Sequence, residues 1–186
     1  MSVTAIVLCG GGSTRFGADK TRQPLGGSTV LDQLVDSLPA EWSVVAVGPS
    51  RPLARDVTWA REAPPGGGPL AAVAVGMAHG ATDLVVILAG DMPFAGSSAT
   101  RLVDALTADP ATDAVSARDG TGRTNPLLTA YRGEVLRRSL PADPVGAPAR
   151  LLLASITHTT LLVADEQSLD VDTHEALEHA RHRLAP

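Results

Sequence analysis

The sequence predicts an α/β fold, a three-layer α/β/α sandwich around a mainly parallel sheet. Three observations lead there. Apolar runs of strand length alternate with helix-like apolar stripes along the 186 residues, the pattern of strand–helix–strand units. The run Leu84-Val85-Val86-Ile87-Leu88 is apolar at every position, so it reads as a strand covered on both faces. A glycine-rich loop directly follows the first apolar run, and open α/β sheets bind ligands at the carboxyl ends of their strands.

Each element has its own signal. Ala5-Ile6-Val7-Leu8 reads as the first buried strand. Val30, Leu31, Leu34, Val35 and Leu38 form one helical stripe, with Ser28 or Thr29 available as cap. Val44 to Val47 is the second strand, and Leu84 to Leu88 the third. Between them, Pro69 suits the first turn of a helix after Gly66-Gly67-Gly68. Ala99, Leu102, Val103 and Leu106 keep helical spacing behind Ser97-Ser98 caps. Pro141 to Pro148 is a proline-rich loop, Thr159 to Val163 a late strand, and Ala176, Leu177, Ala180 and Leu184 mark a terminal helix. With no internal repeat and no long linker, residues 1–186 are expected to form one domain.

Composition narrows the function. Aromatic residues make up 3% of the chain, so Leu, Val and Ala must fill the core. The net charge of −5 offers no basic patch, and neither a nucleic acid nor a membrane is expected as partner. The single cysteine, Cys9, excludes an internal disulfide and a zinc framework, so a reduced, cytoplasmic setting is the simplest reading. The first apolar run lacks a basic leader, and no stretch approaches the ~20 residues of a spanning helix.

Four segments carry candidate chemistry. In the first, Gly10, Gly11 and Gly12 let the backbone turn its N–H groups toward an anion, and Ser13, Arg15 and Lys20 follow. This reads as a phosphate site with Arg15 and Lys20 as its candidate catalytic cations, against the plainer reading of a structural turn with incidental charges. It is neither common nucleotide loop: Arg15 stands where G-x-G-x-x-G needs its last glycine, and Ala18 where a P-loop needs lysine. The second is Gly66-Gly67-Gly68-Pro69-Leu70-Ala71, either a close-approach loop for a ligand or a plain connection. The third is Asp91, at the end of the third strand, a natural Mg²⁺ ligand or a turn cap before Pro93. The fourth is Asp170-Val171-Asp172-Thr173, where Asp172 either caps the last helix in a box with Glu175 or serves a metal or substrate. His174 and His179 are five apart and do not share a helix face, so they read as solvated. Cys9 reads as a small buried residue.

In these segments the chain resembles the MobA-like nucleotidyltransferases, which have a Rossmann-like sheet. The family signature L-A-G-G-x-S-x-R-M-G-x-D-K is met by Leu8 to Lys20, with Cys9 for Ala and Phe16 for Met. G-P-L-A, D-x-P and the late N/D-[IV]-N/D-T element are met by Gly68 to Ala71, Asp91 to Pro93 and Asp170 to Thr173. Asn125-Pro126-Leu127 is similar to a family H-P-[LT] segment near the pterin. The resemblance implies transfer of GMP from GTP to the phosphate of molybdopterin, with Mg²⁺ or Mn²⁺ and release of pyrophosphate. It implies that Leu8, Cys9, Gly10, Gly68, Pro69 and Leu70 line the nucleotide and that Glu62 reads the base. It further implies that Lys20 holds phosphate, that Asp91 and Asp172 hold metal, and that Asn125, Asp170 and Asp172 meet the acceptor. A protein delivering or accepting the pterin is an implied transient partner. Leu8 to Gly11 resembles the guanylyl branch, whereas Asp170 and Asp172 resemble the cytidylyl branch. The alternatives are a CTP-dependent enzyme on the same pterin, a sugar-phosphate nucleotidyltransferase, and a non-catalytic nucleotide-binding module.

Overall fold

Alternation within the apolar runs decides the layers. A computed structural model describes residues 1–10, 16–80 and 82–184. In chain order the strands are β1 (Val3–Leu8), β2 (Pro24–Leu25), β3 (Ser28–Thr29), β4 (Ser43–Val47), β5 (Thr58–Ala60), β6 (Leu84–Ala89), β7 (Ala114–Arg118), β8 (Thr124–Arg132) and β9 (His158–Leu162). The helices are α1 (Val30–Ser37), α2 (Pro69–Gly80), α3 (Gly96–Ala108), α4 (Gly133–Ser139) and α5 (His174–Leu184). Ala5 and Val7 of β1, with Val86 and Leu88 of β6, pack with Leu31, Leu34, Leu102 and Leu106 of α1 and α3. Ile6, Val85 and Ile87 face the other way, onto Leu70, Val73 and Met77 of α2 and Leu136 of α4. Period-two strands between period-3.6 helices thus give the expected three layers.

The large sheet has seven strands in the order β5-β4-β1-β6-β8-β7-β9. From β5 to β6 all neighbours are parallel. β8 runs antiparallel to both β6 and β7, and β9 returns parallel to β7. The sheet is therefore mainly parallel, with one reversed strand. The chain leaves β1 toward β4 on one side and later places β6 on the other. That makes the carboxyl end of β1 a topological switch point.

Several local expectations need correction. Thr29 caps α1 as anticipated, in a box with Asp32. The Ser97-Ser98 caps do not form: Ala95 is the N-cap of α3 and has no side-chain bond. Ser97 and Ser98 instead bond Gln167. The cap of α5 is not Asp172, because Thr173 Oγ1 accepts the amide of Ala176 at 3.1 Å. Pro141–Pro148 is tied down, with Gly146 N donating to Gly67 O at 2.7 Å. Among the described residues no helix is long and apolar enough to cross a membrane.

Candidate active site

The β1–β6 register pairs Leu8 with Ala89, so the loops after both strands leave side by side. Gly90 N donates to Leu8 O at 2.8 Å. A Cβ on Gly90 would stand 3.0 Å from Cys9 Cβ, so this approach demands glycine. A cavity of about 330 Å³ opens there. Leu8, Cys9, Gly10, Lys20, Glu62, Gly68, Pro69 and Asp91 line it, together with Asp19 and Thr21. Gly68 sits at φ +89°, a conformation that favours glycine, and starts α2 by accepting the amide of Ala72 at 3.1 Å. The first-turn amides of α2 keep no partner within the helix, which makes this end attractive to anions. Leu70 does not line the cavity; it is fully buried in the core between α2 and the sheet. The expectations for Gly11, Gly12, Ser13 and Arg15 lie outside the described residues.

Lys20 is the only lysine in the chain, and its ammonium pairs with both Asp91 and Asp172. Burial pulls its pKa down, but the hydrogen bonds it donates to Asp172 and Asp91 outweigh that and raise it, so it stays charged. Asp91 is held by its position at the end of β6. Asp172 arrives from far along the chain because Val171 is anchored. Val171 N donates to Asp91 O at 2.9 Å, and its side chain is fully buried among Phe16, Leu25, Val30 and Leu177. His174 stacks on Phe16 with ring centroids 4.3 Å apart. The signature loop and the last helix are thereby bound into one unit.

Two carboxylates gathered on one cation form a hard-oxygen pair, the donor type that Mg²⁺ takes. Among the described residues no three His, Cys, Asp or Glu side chains gather to hold a metal. This donor set suits a cation that takes one or two carboxylates and completes its shell with water and substrate phosphates.

A second cavity, of about 360 Å³, has Asp172 in its lining. Asn125, Asp170 and Asp172 line it, with Asp119, Arg123 and Ser168. Asn125 sits where the β7–β8 register shifts between Ser116 and Ala117, an irregularity that re-aims side chains. Its Oδ1 accepts the Leu127 amide at 2.9 Å. Asp170 presents area to solvent, yet its carboxyl is pushed up to about 7 by burial, then by Asp91 and Asp172, against the pull of Lys20 and Arg123. The upward direction is secure because two neighbouring anions act with the burial.

Two further groups lie at the first cavity. Glu62 Oε1 is buried and has no hydrogen-bond partner among the described residues, a costly state that a ligand donor would relieve. The Cys9 thiol is pushed up to about 11 by burial and donates weakly to Val47 O at 3.4 Å, so it is no nucleophile. Asp19, Thr21 and the Val171 anchor escaped sequence reasoning. Asp19 alone had a usable signal, as the acidic neighbour of Lys20 in the signature.

Comparison with known proteins agrees with this geometry. Residues 5–159 match the MobA-like NTP transferase domain. No curated protein matches the chain. Molybdopterin-guanine dinucleotide biosynthesis protein A from Archaeoglobus fulgidus superposes with a TM-score of 0.72 at 18% identity, over 97% of each chain. A nucleotidyl transferase from Methanothermobacter thermautotroptrophicus gives 0.77 at 16% identity, over 98% of this chain and 97% of its own. The 2-C-methyl-D-erythritol 4-phosphate cytidylyltransferase from Thermus thermophilus gives 0.74 at 16% identity, over 99% of each. These identities speak for the fold, and the domain match speaks for the family. The chain belongs to the MobA-like NTP transferase family and is a nucleotidyltransferase.

Proposed function

We propose that the chain transfers GMP from GTP to the terminal phosphate of molybdopterin, releasing pyrophosphate. The observation that carries this reading is the position of Asp172. It pairs with Lys20 at the first cavity and lines the second. A nucleotide in the first cavity and a phosphorylated acceptor in the second would meet at the Lys20–Asp91–Asp172 cluster. The acceptor phosphate attacks the α-phosphorus; its oxygen forms the new P–O bond, and the α–β bond breaks to free pyrophosphate. A phosphate monoester has a second pKa near ~6 and is already largely ionised at neutral pH. No general base is then required.

Catalysis on this account is alignment plus charge neutralisation. Lys20 offers its ammonium to the triphosphate, and the amides at the start of α2 offer neutral donors. Asp91 and Asp172 would hold Mg²⁺ or Mn²⁺, which supplies Lewis-acid polarisation of phosphate oxygens when bound. Glu62 Oε1, buried without a partner among the described residues, can accept from the N1–H and 2-amino group of guanine. Neither cytosine nor adenine presents that pair of donors to a carboxylate.

The cytidylyl alternative rests on the Asp170 and Asp172 pair, which resembles that branch. The two readings separate in one assay. GTP, CTP, ATP and UTP are each offered with molybdopterin and Mg²⁺, and pyrophosphate is followed. Turnover with GTP above the others supports the proposal. Preference for CTP transfers the reaction to the cytidylyl branch, and absence of turnover with every nucleotide rejects the acceptor.

A further inference from the structure

A buried arginine behind the first cavity has no place in the chemistry above. The Arg51 side chain is only 6% exposed. It lies in the segment between β4 and β5, with its guanidinium 5.9 Å from the centre of the Trp59 ring. Burying a charge is unfavourable unless the charge is paired. The carboxylate that pairs with Arg51 is Asp19, where Nη1 meets Oδ2 at 3.2 Å. Nη2 donates to Thr21 Oγ1. Arg51 thus clasps the residues on either side of Lys20.

Asp19 is a junction. Its Oδ1 accepts the Thr21 amide at 3.1 Å and the Thr21 hydroxyl at 2.6 Å, capping the short 3-10 turn Lys20–Arg22. Its Oδ2 takes both Arg51 and Arg22, each at 3.2 Å. Arg22 is half exposed and contributes little to rigidity. Arg51 is the buried partner and comes from a separate part of the chain. A lysine side chain has many rotamers, and its usefulness to a transition state depends on where its backbone is pinned. The turn is too short to hold that position alone.

We propose that Arg51 is a positioning residue for nucleotidyl transfer, fixing Lys20 through Asp19 and Thr21. The proposal rests on the role given to Lys20 above. It adds a residue outside the cavity and outside the signature that brought Lys20 to attention. Arg51 does not touch the substrate on this account. Its loss moves the chemical step more than nucleotide affinity, and only while Lys20 is present.

The test has two independent readouts. First, kcat and KM for the preferred nucleotide are measured in Arg51→Gln and Arg51→Lys, each alone and combined with Lys20→Ala. Arg51→Gln should lower kcat by roughly 10- to 100-fold with little change in KM. Arg51→Lys should recover part of the loss, since a lysine keeps the charge but cannot span both partners. In the Lys20→Ala background Arg51→Gln should cause no further loss. An equal loss in both backgrounds would overturn the proposal. Second, Lys20 is the only lysine, so selective ¹⁵N-lysine labelling gives one side-chain ammonium signal. Arg51→Gln, which leaves Lys20 the only lysine, should shift and sharpen that signal. A signal that matches wild type in folded Arg51→Gln protein would overturn the proposal even if no nucleotide is turned over. Lack of turnover alone would count against the proposed reaction and leave the ammonium signal to decide on Arg51.

Discussion

The two cavities linked by the Lys20–Asp172 pair differ in what lines them. The first sets glycines and apolar side chains such as Leu8, Ala72, Ala89 and Leu127 beside Asp19, Lys20, Asp91 and Glu62. It grows from the parallel half of the sheet, where β1 and β6 end side by side. The second is polar, lined by Asp119, Asp170, Asp172, Arg123 and Asn125, and it grows from the antiparallel half at a bulge between β7 and β8. A wall that joins glycines and apolar side chains to Lys20 and a buried carboxylate suits a base and a phosphate chain. A wall of carboxylates and amides suits a hydrogen-bonding acceptor molecule. On the proposed reading the two cavities take different substrates, and transfer falls at the Lys20–Asp172 pair between them.

The largest effect should come from that boundary. Lys20→Ala should lower turnover by about 10² or more, the size typical of one lost electrostatic donor at a transition state. Circular dichroism should show the fold intact. Unchanged turnover would remove the boundary from the mechanism. Asp91→Asn comes next. Its rate should fall at least about tenfold, the loss seen even for groups one step removed from a metal. A Mg²⁺ titration should show a higher requirement. Wild-type rates at limiting Mg²⁺ would reduce Asp91 to a turn residue.

Asn125→Ala sharpens the comparison, because Asn125 lines the second cavity and not the first. The KM for the acceptor should rise by about threefold to tenfold, the worth of one hydrogen bond. The KM for GTP should stay unchanged. A rise confined to GTP would merge the two cavities into one site. The smallest effect belongs to Cys9. With its thiol pushed up to about 11, it remains protonated at neutral pH. Iodoacetamide should label the native protein slowly and the unfolded protein readily. Rapid labelling of the native protein would contradict the closed wall of the first cavity.

β1, β4, β6 and the late strand β9 were legible in the sequence, and β5, β7 and β8 were not, for a physical reason. Strands buried on both faces must be continuously apolar, and β1, β4 and β6 announce themselves that way. β8 carries Pro126, which argues against a strand unless an irregularity absorbs it, and here the bulge beside Asn125 does so. β5 is only three residues long and leaves no pattern to count. The site divided along the same line. Asp91 sits just past the end of a legible strand, and Lys20 closes a short motif. The meeting of Lys20 with Asp172 spans most of the chain and depends on where Val171 is buried. Arg51 looks in sequence like any other loop arginine, and only its burial sets it apart.

The account turns on the first cavity reading a guanine through Glu62, and one competition measures that directly. GTP and CTP are mixed with wild type and with Glu62→Ala, and the products are separated. Wild type should use GTP over CTP, because the wrong base leaves a buried carboxylate unpaired. Glu62→Ala should lose most of that preference. A wild-type preference for CTP would contradict the guanylyl assignment, and an undiminished GTP preference in Glu62→Ala would remove Glu62 from base recognition.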